Sequence, residues 1–105
     1  MKEVVEMGEV KVNGMLFEDV RVAEVGGYSG LDIFFTFKGK LYNFMVAKKN
    51  PPYPLNILHR FKEQGVCPIC GKMIYPYPIG NQPCLELKKI DRFMLERFRK
   101  FLPET

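Results

Sequence analysis

The residues of this chain best suited to chemistry are the thiols of Cys67 and Cys70, set two residues apart in Cys67-Pro68-Ile69-Cys70-Gly71. A Cys-x-x-Cys turn lets both sulfurs reach one metal ion, and a glycine after the second tolerates the positive φ that turns backbone amides toward thiolates. Zinc in a structural site takes four protein ligands. Cys84 is the natural third: with a helix starting near Pro83 it falls in the first turn, where the helix dipole favours a thiolate. His59 is the only histidine and precedes Cys67 by eight residues. It is a candidate for the fourth position, alongside Asp91, Glu86 or a water molecule. The chemistry expected is structural. Several thiolates on one zinc lower its Lewis acidity, and no second histidine is present to move protons. With no Ser/His/Asp arrangement and no phosphate-binding glycine loop either, the chain is not expected to be an enzyme.

Three cysteines, an odd number with two in one tight turn, fit metal ligation in a reducing compartment better than a disulfide framework. A chain of 105 residues suggests a single domain, 1–105, small enough for a structural ion to add appreciably to stability. With 47% hydrophobic and 13% aromatic residues, it should fold rather than stay disordered. No apolar run approaches the roughly 20 residues that span a bilayer, and residues 1–6 lack the apolar stretch of a signal peptide. A cytoplasmic protein with no membrane association is the expectation.

The elements that must position these ligands are read from periodicity. Val10 and Val12 alternate with charged residues and lead into Asn13-Gly14, a hairpin signal because both residues accept positive φ. Residues 17–25 resume the alternation, with Val20 and Val22 on one side and Asp19 and Arg21 on the other. Gly26-Gly27-Tyr28-Ser29-Gly30 reads as a loop. Residues 31–37 and 41–47 predict a second hairpin turned at Lys38-Gly39-Lys40, and the near-continuous apolar run 33–37 predicts cover on both faces. Asn50-Pro51-Pro52-Tyr53-Pro54 reads as the end of the sheet.

Residues 54–65 then predict a short helix, with Leu55, Ile57, Leu58 and Phe61 on one side and Gly65 as its cap. Residues 66–83 carry a zinc knuckle and an extended, proline-rich segment. Residues 84–102 predict a basic amphipathic helix: Leu87, Ile90, Met94, Leu95, Phe98, Phe101 and Leu102 share an arc of about 140°. The fold class expected is α+β, an antiparallel sheet of four to five strands from residues 2–48 covered by two helices that the knuckle joins.

A cysteine turn, an extended excursion and a helix whose first turn carries a further ligand resemble a treble-clef zinc finger over residues 67–102. That family places a fourth ligand three residues after Cys84, where this chain has Leu87. Cys67-Pro68-Ile69-Cys70-Gly71 with Leu85-Glu86-Leu87 also resembles the opening of HNH-type nucleases, themselves treble-clef proteins. Their water-activating histidine comes after the Leu-x-Leu segment. Lys88-Lys89 stands there instead, so the resemblance implies the scaffold without the activity. Asn50-Pro51-Pro52-Tyr53 is identical to the catalytic tetrapeptide of amino-group DNA methyltransferases. Those enzymes need a doubly wound domain and a glycine-rich methyl-donor site, so here the motif reads as a strand-terminating turn.

Net charge is +4, and residues 53–105 hold nine basic and five acidic side chains against seven of each in residues 1–52. An electrostatic partner is therefore expected to meet the second half. Lys88, Lys89, Arg92, Arg99 and Lys100 are the expected nucleic-acid contacts, with Tyr28, Tyr75 and Tyr77 available to stack on unpaired bases. The alternative is a protein-binding adaptor that uses residues 33–37 or the segment Tyr75-Pro76-Tyr77-Pro78. In both readings zinc is structural.

Overall fold

Alternation of apolar and polar residues builds an antiparallel sheet whose strands lie in sequence order: β1 (Val4–Val12), β2 (Met15–Glu24), β3 (Gly30–Phe37), β4 (Lys40–Ala47) and β5 (Tyr53–His59). The structure, a computed structural model, describes residues 4–24, 30–49 and 52–99, with the side chains of 4–7 and 24 excepted. Tyr28 and its loop, Asn50, Pro51, Lys100, Phe101 and Leu102 lie outside the described residues. Both expected hairpins form. Asn13 and Gly14 turn with φ of 50° and 82°, Lys38 and Gly39 with 50° and 79°. Two successive positive φ values match the right-handed twist of the strands they join.

Between β2 and β3 the register passes from Glu18↔Thr36 to Arg21↔Phe34, so β2 carries one extra residue. Asp19, at φ 50°, lies within that bulge. The bulge lets Phe17, Val20 and Val22 all turn inward although 17 and 20 break the period of two.

Two expectations for the segment after β4 are overturned. The prolines do not end the sheet, and residues 54–65 do not form a helix: Tyr53–His59 is the fifth strand. Leu55, Ile57, Leu58 and Phe61 suit a helical period, but Leu55, Ile57, His59 and Phe61 also fit a period of two. A short apolar run does not distinguish the two patterns. Pro54 is tolerated because it pairs with Val46 where the β4–β5 register shifts, a place that does not need its missing N–H. Gly65 does not cap a helix; it opens β6 (Gly65–Val66), which pairs with β7 (Met73–Ile74) in a small hairpin of its own.

The expected C-terminal helix is two helices, α1 (Leu85–Lys88) and α2 (Asp91–Arg99). They part at Lys89-Ile90, where the Ile90 amide donates to the carbonyl of Leu87 at 3.0 Å. This three-residue step tightens the turn at which the two helices part. Met94, Leu95 and Phe98 are buried on α2, and Leu87 on α1. Phe98 enters the sheet's inner face, its ring centroid 6.4 Å from Phe17, 6.4 Å from Phe35 and 6.2 Å from Phe44. Helical cover over the second face of residues 33–37 is not found among the described residues. Ile33 and Phe35 face the core, whereas Phe34 is flanked by the guanidinium groups of Arg21 and Arg60.

Candidate metal centre

One row of rings crosses the inner face of the sheet and ends at the site. Phe17 stacks on Phe35 at 4.2 Å, Phe35 on Tyr42 at 5.4 Å, and Tyr42 meets the imidazole of His59 at 5.6 Å. Phe35↔Tyr42 and Tyr42↔His59 are direct cross-strand partners, the positions whose side chains approach most closely. Because successive strand residues alternate in facing, His59 shares the buried face of β5 with Ile57. Its side chain is thus delivered by a strand.

Cys67 and Cys70 occupy the loop of the β6–β7 hairpin. The Cys67 amide donates to the Lys72 carbonyl and the Gly71 amide to the Cys67 carbonyl, both at 2.9 Å. Gly71 takes φ 76°, the conformation a side chain would oppose. This closed turn aims the amides of Ile69 and Cys70 at Cys67 Sγ, each 3.4 Å away.

Cys84 arrives along the free edge of β5. The His59 amide donates to the Gln82 carbonyl at 3.0 Å and the Cys84 amide to the Ile57 carbonyl at 2.8 Å. The residue between them, Pro83, bridges Leu58. These bonds flank the Leu58–Pro83 pair, so proline sits at a position that requires no N–H. Cys84 then becomes the N-cap of α1.

The three approaches converge. The ligand atoms of His59, Cys67, Cys70 and Cys84 all lie within 4.8 Å of one another, and three of the four residues are buried. Atoms 2.0–2.3 Å from a tetrahedral ion stand about 3.5–3.8 Å apart. Cys70 Sγ and His59 Nε2 are 3.6 Å apart. His59 Nδ1 lies 2.7 Å from the Gln82 carbonyl, which can only accept, so Nδ1 donates there and Nε2 is the ring atom turned toward the sulfurs. The arrangement fits a metal site.

The sulfurs are electrostatically unlike. Cys67 is pushed down, chiefly by a hydrogen bond from the Cys84 thiol, against burial and with help from His59, the Cys70 amide and Tyr42. Cys84 is pushed up, first by that same bond and then by burial. Burial also raises Tyr42, followed by its bond to Cys67, so its hydroxyl stays protonated and donates to Cys67 Sγ at 3.0 Å. Ligation must then expel at least the Cys84 proton. Apparent metal affinity is expected to fall by at least about tenfold for each pH unit of acidification below neutrality. Competition titrations with a chromogenic chelator between about pH 8 and pH 5.5 measure this, and a flat profile contradicts it. Tyr42→Phe keeps the ring in its stack but removes the hydroxyl. It is expected to weaken metal binding about tenfold, the lower end for partners that orient a ligand, with the fold retained. The same titration checks it.

Of the alternatives for the fourth ligand, Glu86 pairs with Lys89 at 2.9 Å instead, and Asp91 stands outside the cluster. Of the expected basic contacts, Lys88 ends α1, Lys89 lies between the helices, and Arg92 and Arg99 are on α2. The break at Lys89-Ile90 separates Lys88 and Lys89 from Arg92 and Arg99. Lys89 is held by Glu86, and Arg99 lies 3.4 Å from Glu96. Arg97 donates to the Lys11 carbonyl at 3.1 and 3.2 Å, tying α2 to β1. Sequence reasoning missed Tyr42 and Gln82. The signal for Tyr42 was present: a tyrosine inside the inward row with Phe44 and Val46 must find a partner for its hydroxyl.

Among the described residues, no helix is long and apolar enough to cross a membrane. No protein-family model, curated protein or solved structure matches this chain.

Proposed function

We propose that this chain is a non-catalytic, zinc-closed binding module whose partner is nucleic acid. The observation that carries the zinc reading is the convergence of one imidazole and three sulfurs within 4.8 Å. Such a Cys₃His set is a closed structural coordination, which leaves no position for a reacting water. It also explains why elements so short hold together: the two-residue strands of the β6–β7 hairpin and the four-residue α1 are fixed to β5 through the ion. The treble-clef resemblance accords with a knuckle followed by a helix that begins at a ligand. His59, supplied from the preceding strand, takes the place that the family gives to a residue three beyond Cys84.

The partner reading rests on charge. The whole excess of +4 belongs to residues 53–105, and Lys88, Lys89, Arg92, Arg99 and Lys100 supply part of it. Each phosphate neutralised releases counterions, so retention on immobilised RNA should fall steeply with salt. Native protein is expected to carry one zinc per chain by elemental analysis and to elute from RNA between about 0.1 and 0.5 M salt. Absence of stoichiometric zinc defeats the first half of the proposal, and salt-independent or absent retention defeats the second.

A second reading is a protein adaptor. Val66, Met73 and Ile79 are 52%, 48% and 86% exposed around the knuckle, more apolar surface than a hairpin of this size needs to show. It predicts a complex that survives high salt.

A further inference from the structure

Metal holding leaves the outer face of the sheet unexplained, and that face is not built like a solvated one. Arg21 stands opposite Phe34 in register, and Phe34 opposite Asn43. The guanidinium carbons of Arg21 and Arg60 lie 5.9 and 6.0 Å from the centroid of the Phe34 ring, and that of Arg60 lies 4.1 Å from Tyr77. Tyr77 is pinned just beyond the end of β5, its amide donating to the Phe61 carbonyl at 2.9 Å. It nonetheless keeps 43% of its surface exposed. The result is a ring fixed in place, packed against a cation and open to solvent.

Beside it the structure holds unused hydrogen-bonding capacity. Asn43 is 1% exposed, yet neither atom of its carboxamide has a partner, and the Nε atoms of Arg21 and Arg60 are buried without an acceptor. Buried polar atoms are nearly always satisfied, so a cluster of orphans marks a place that something else completes. A cavity of about 660 Å³ adjoins, lined by Arg21, Lys40 and Lys62 together with Asp19 and Glu63. That volume lies in the range of small-molecule and nucleotide sites. Glu6 stands opposite Arg21 in register. Glu18, opposite Thr36, and Asp32, two residues before Phe34, share this face, so the excess of cations belongs to the cavity lining alone, where Arg21, Lys40 and Lys62 stand against Asp19 and Glu63.

We infer that the outer face of the sheet binds single-stranded nucleic acid, a base stacking on the Arg60-backed ring of Tyr77 and phosphates lying against Arg21, Lys40 and Lys62. A planar, cation-backed aromatic beside a positive cleft recognises an unpaired base through its π-face and the strand through its charge. A duplex offers no free base face to Tyr77. The inference rests on the reading that the partner is nucleic acid, and it moves the principal contact from the C-terminal helices to β2, the β3–β4 turn and the segment after β5.

The test is fluorescence anisotropy of labelled oligouridine and oligothymidine, and of a duplex of equal length, with full-length zinc-loaded protein at about 0.05 and 0.2 M salt. Wild type is expected to prefer the single strands. Tyr77→Ala should weaken them about tenfold while Tyr77→Phe retains binding. Lys62→Glu should weaken them about tenfold and flatten the salt slope. Arg92→Glu, on α2, should weaken the single strands less than Lys62→Glu does. Zinc content and melting temperature, measured on each variant, show that the fold is kept. If Arg92→Glu abolishes binding and the sheet variants do not, the sheet-face site is overturned while the nucleic-acid reading stands. Preference for duplex likewise overturns it. If wild type binds none of the three probes, both readings fall.

Discussion

Cys84→Ser is expected to lose the zinc that we propose the cluster holds, and with it the attachment of the knuckle and α1 to β5. The effect is large because Cys84 joins three things at once. Its sulfur belongs to the buried four-atom cluster, its amide bonds the Ile57 carbonyl at 2.8 Å, and it is the residue from which α1 starts. Structural zinc sites contribute about 10–16 kcal/mol of apparent binding energy near neutral pH, comparable with the whole stability of a small protein, about 5–15 kcal/mol. Loss of one thiolate ligand also leaves the remaining buried sulfurs without the charge that offsets their burial. We expect a melting temperature lowered by more than about 15 °C, taking several kcal/mol lost at about 4–8 °C each. In amide exchange, protection should vanish from the β6–β7 hairpin and α1 before it vanishes from β2, β3 and β4, whose ladders do not involve the ion. Chelation of wild type should reproduce this pattern. A Cys84→Ser protein that still binds one zinc per chain and melts like wild type would remove the basis of the metal centre.

Phe98→Ala tests the other anchor. Phe98 is fully buried and its ring meets Phe17, Phe35 and Phe44, one each from β2, β3 and β4. Truncating such a ring costs about 3–5 kcal/mol through lost transfer energy and the cavity left behind. That corresponds to a fall of roughly 12–40 °C in melting temperature for a chain of this size. Zinc should still be bound at low temperature, because the ligands are carried by β5, the knuckle and the start of α1, and not by α2. Thermal melting with parallel metal analysis separates the two anchors. A fall smaller than about 5 °C would mean that α2 is not what closes the inner face.

The legibility of these parts differs for physical reasons. Asn13-Gly14 was readable because a two-residue hairpin demands positive φ at both positions and few residue types accept it; Lys38-Gly39-Lys40 was readable as a polar, glycine-bearing break between two apolar runs. Cys67 and Cys70 were readable because two thiols must lie close in sequence to fit one turn. The helix expected over 54–65 failed because the same apolar residues satisfy two periods, and pairing with β4 chose between them. The single helix over 84–102 failed at Lys89-Ile90, where a local three-residue hydrogen bond interrupts an apolar pattern that reads as continuous.

By itself, the sequence determined the antiparallel hairpins, the shared facing of Val20 and Val22 in β2, and the identity of three sulfurs and one imidazole able to hold an ion. Local geometry suffices for those, since turns and alternation are properties of neighbouring residues. Only the tertiary structure decided that His59 is the fourth member of the cluster. The reason is that its position depends on β5 pairing with β4, on residues 82–84 closing the edge of β5, and on Gln82 orienting the imidazole. Around His59 these contacts join residues separated by 17 to 27 positions, and no local pattern encodes a meeting at that distance.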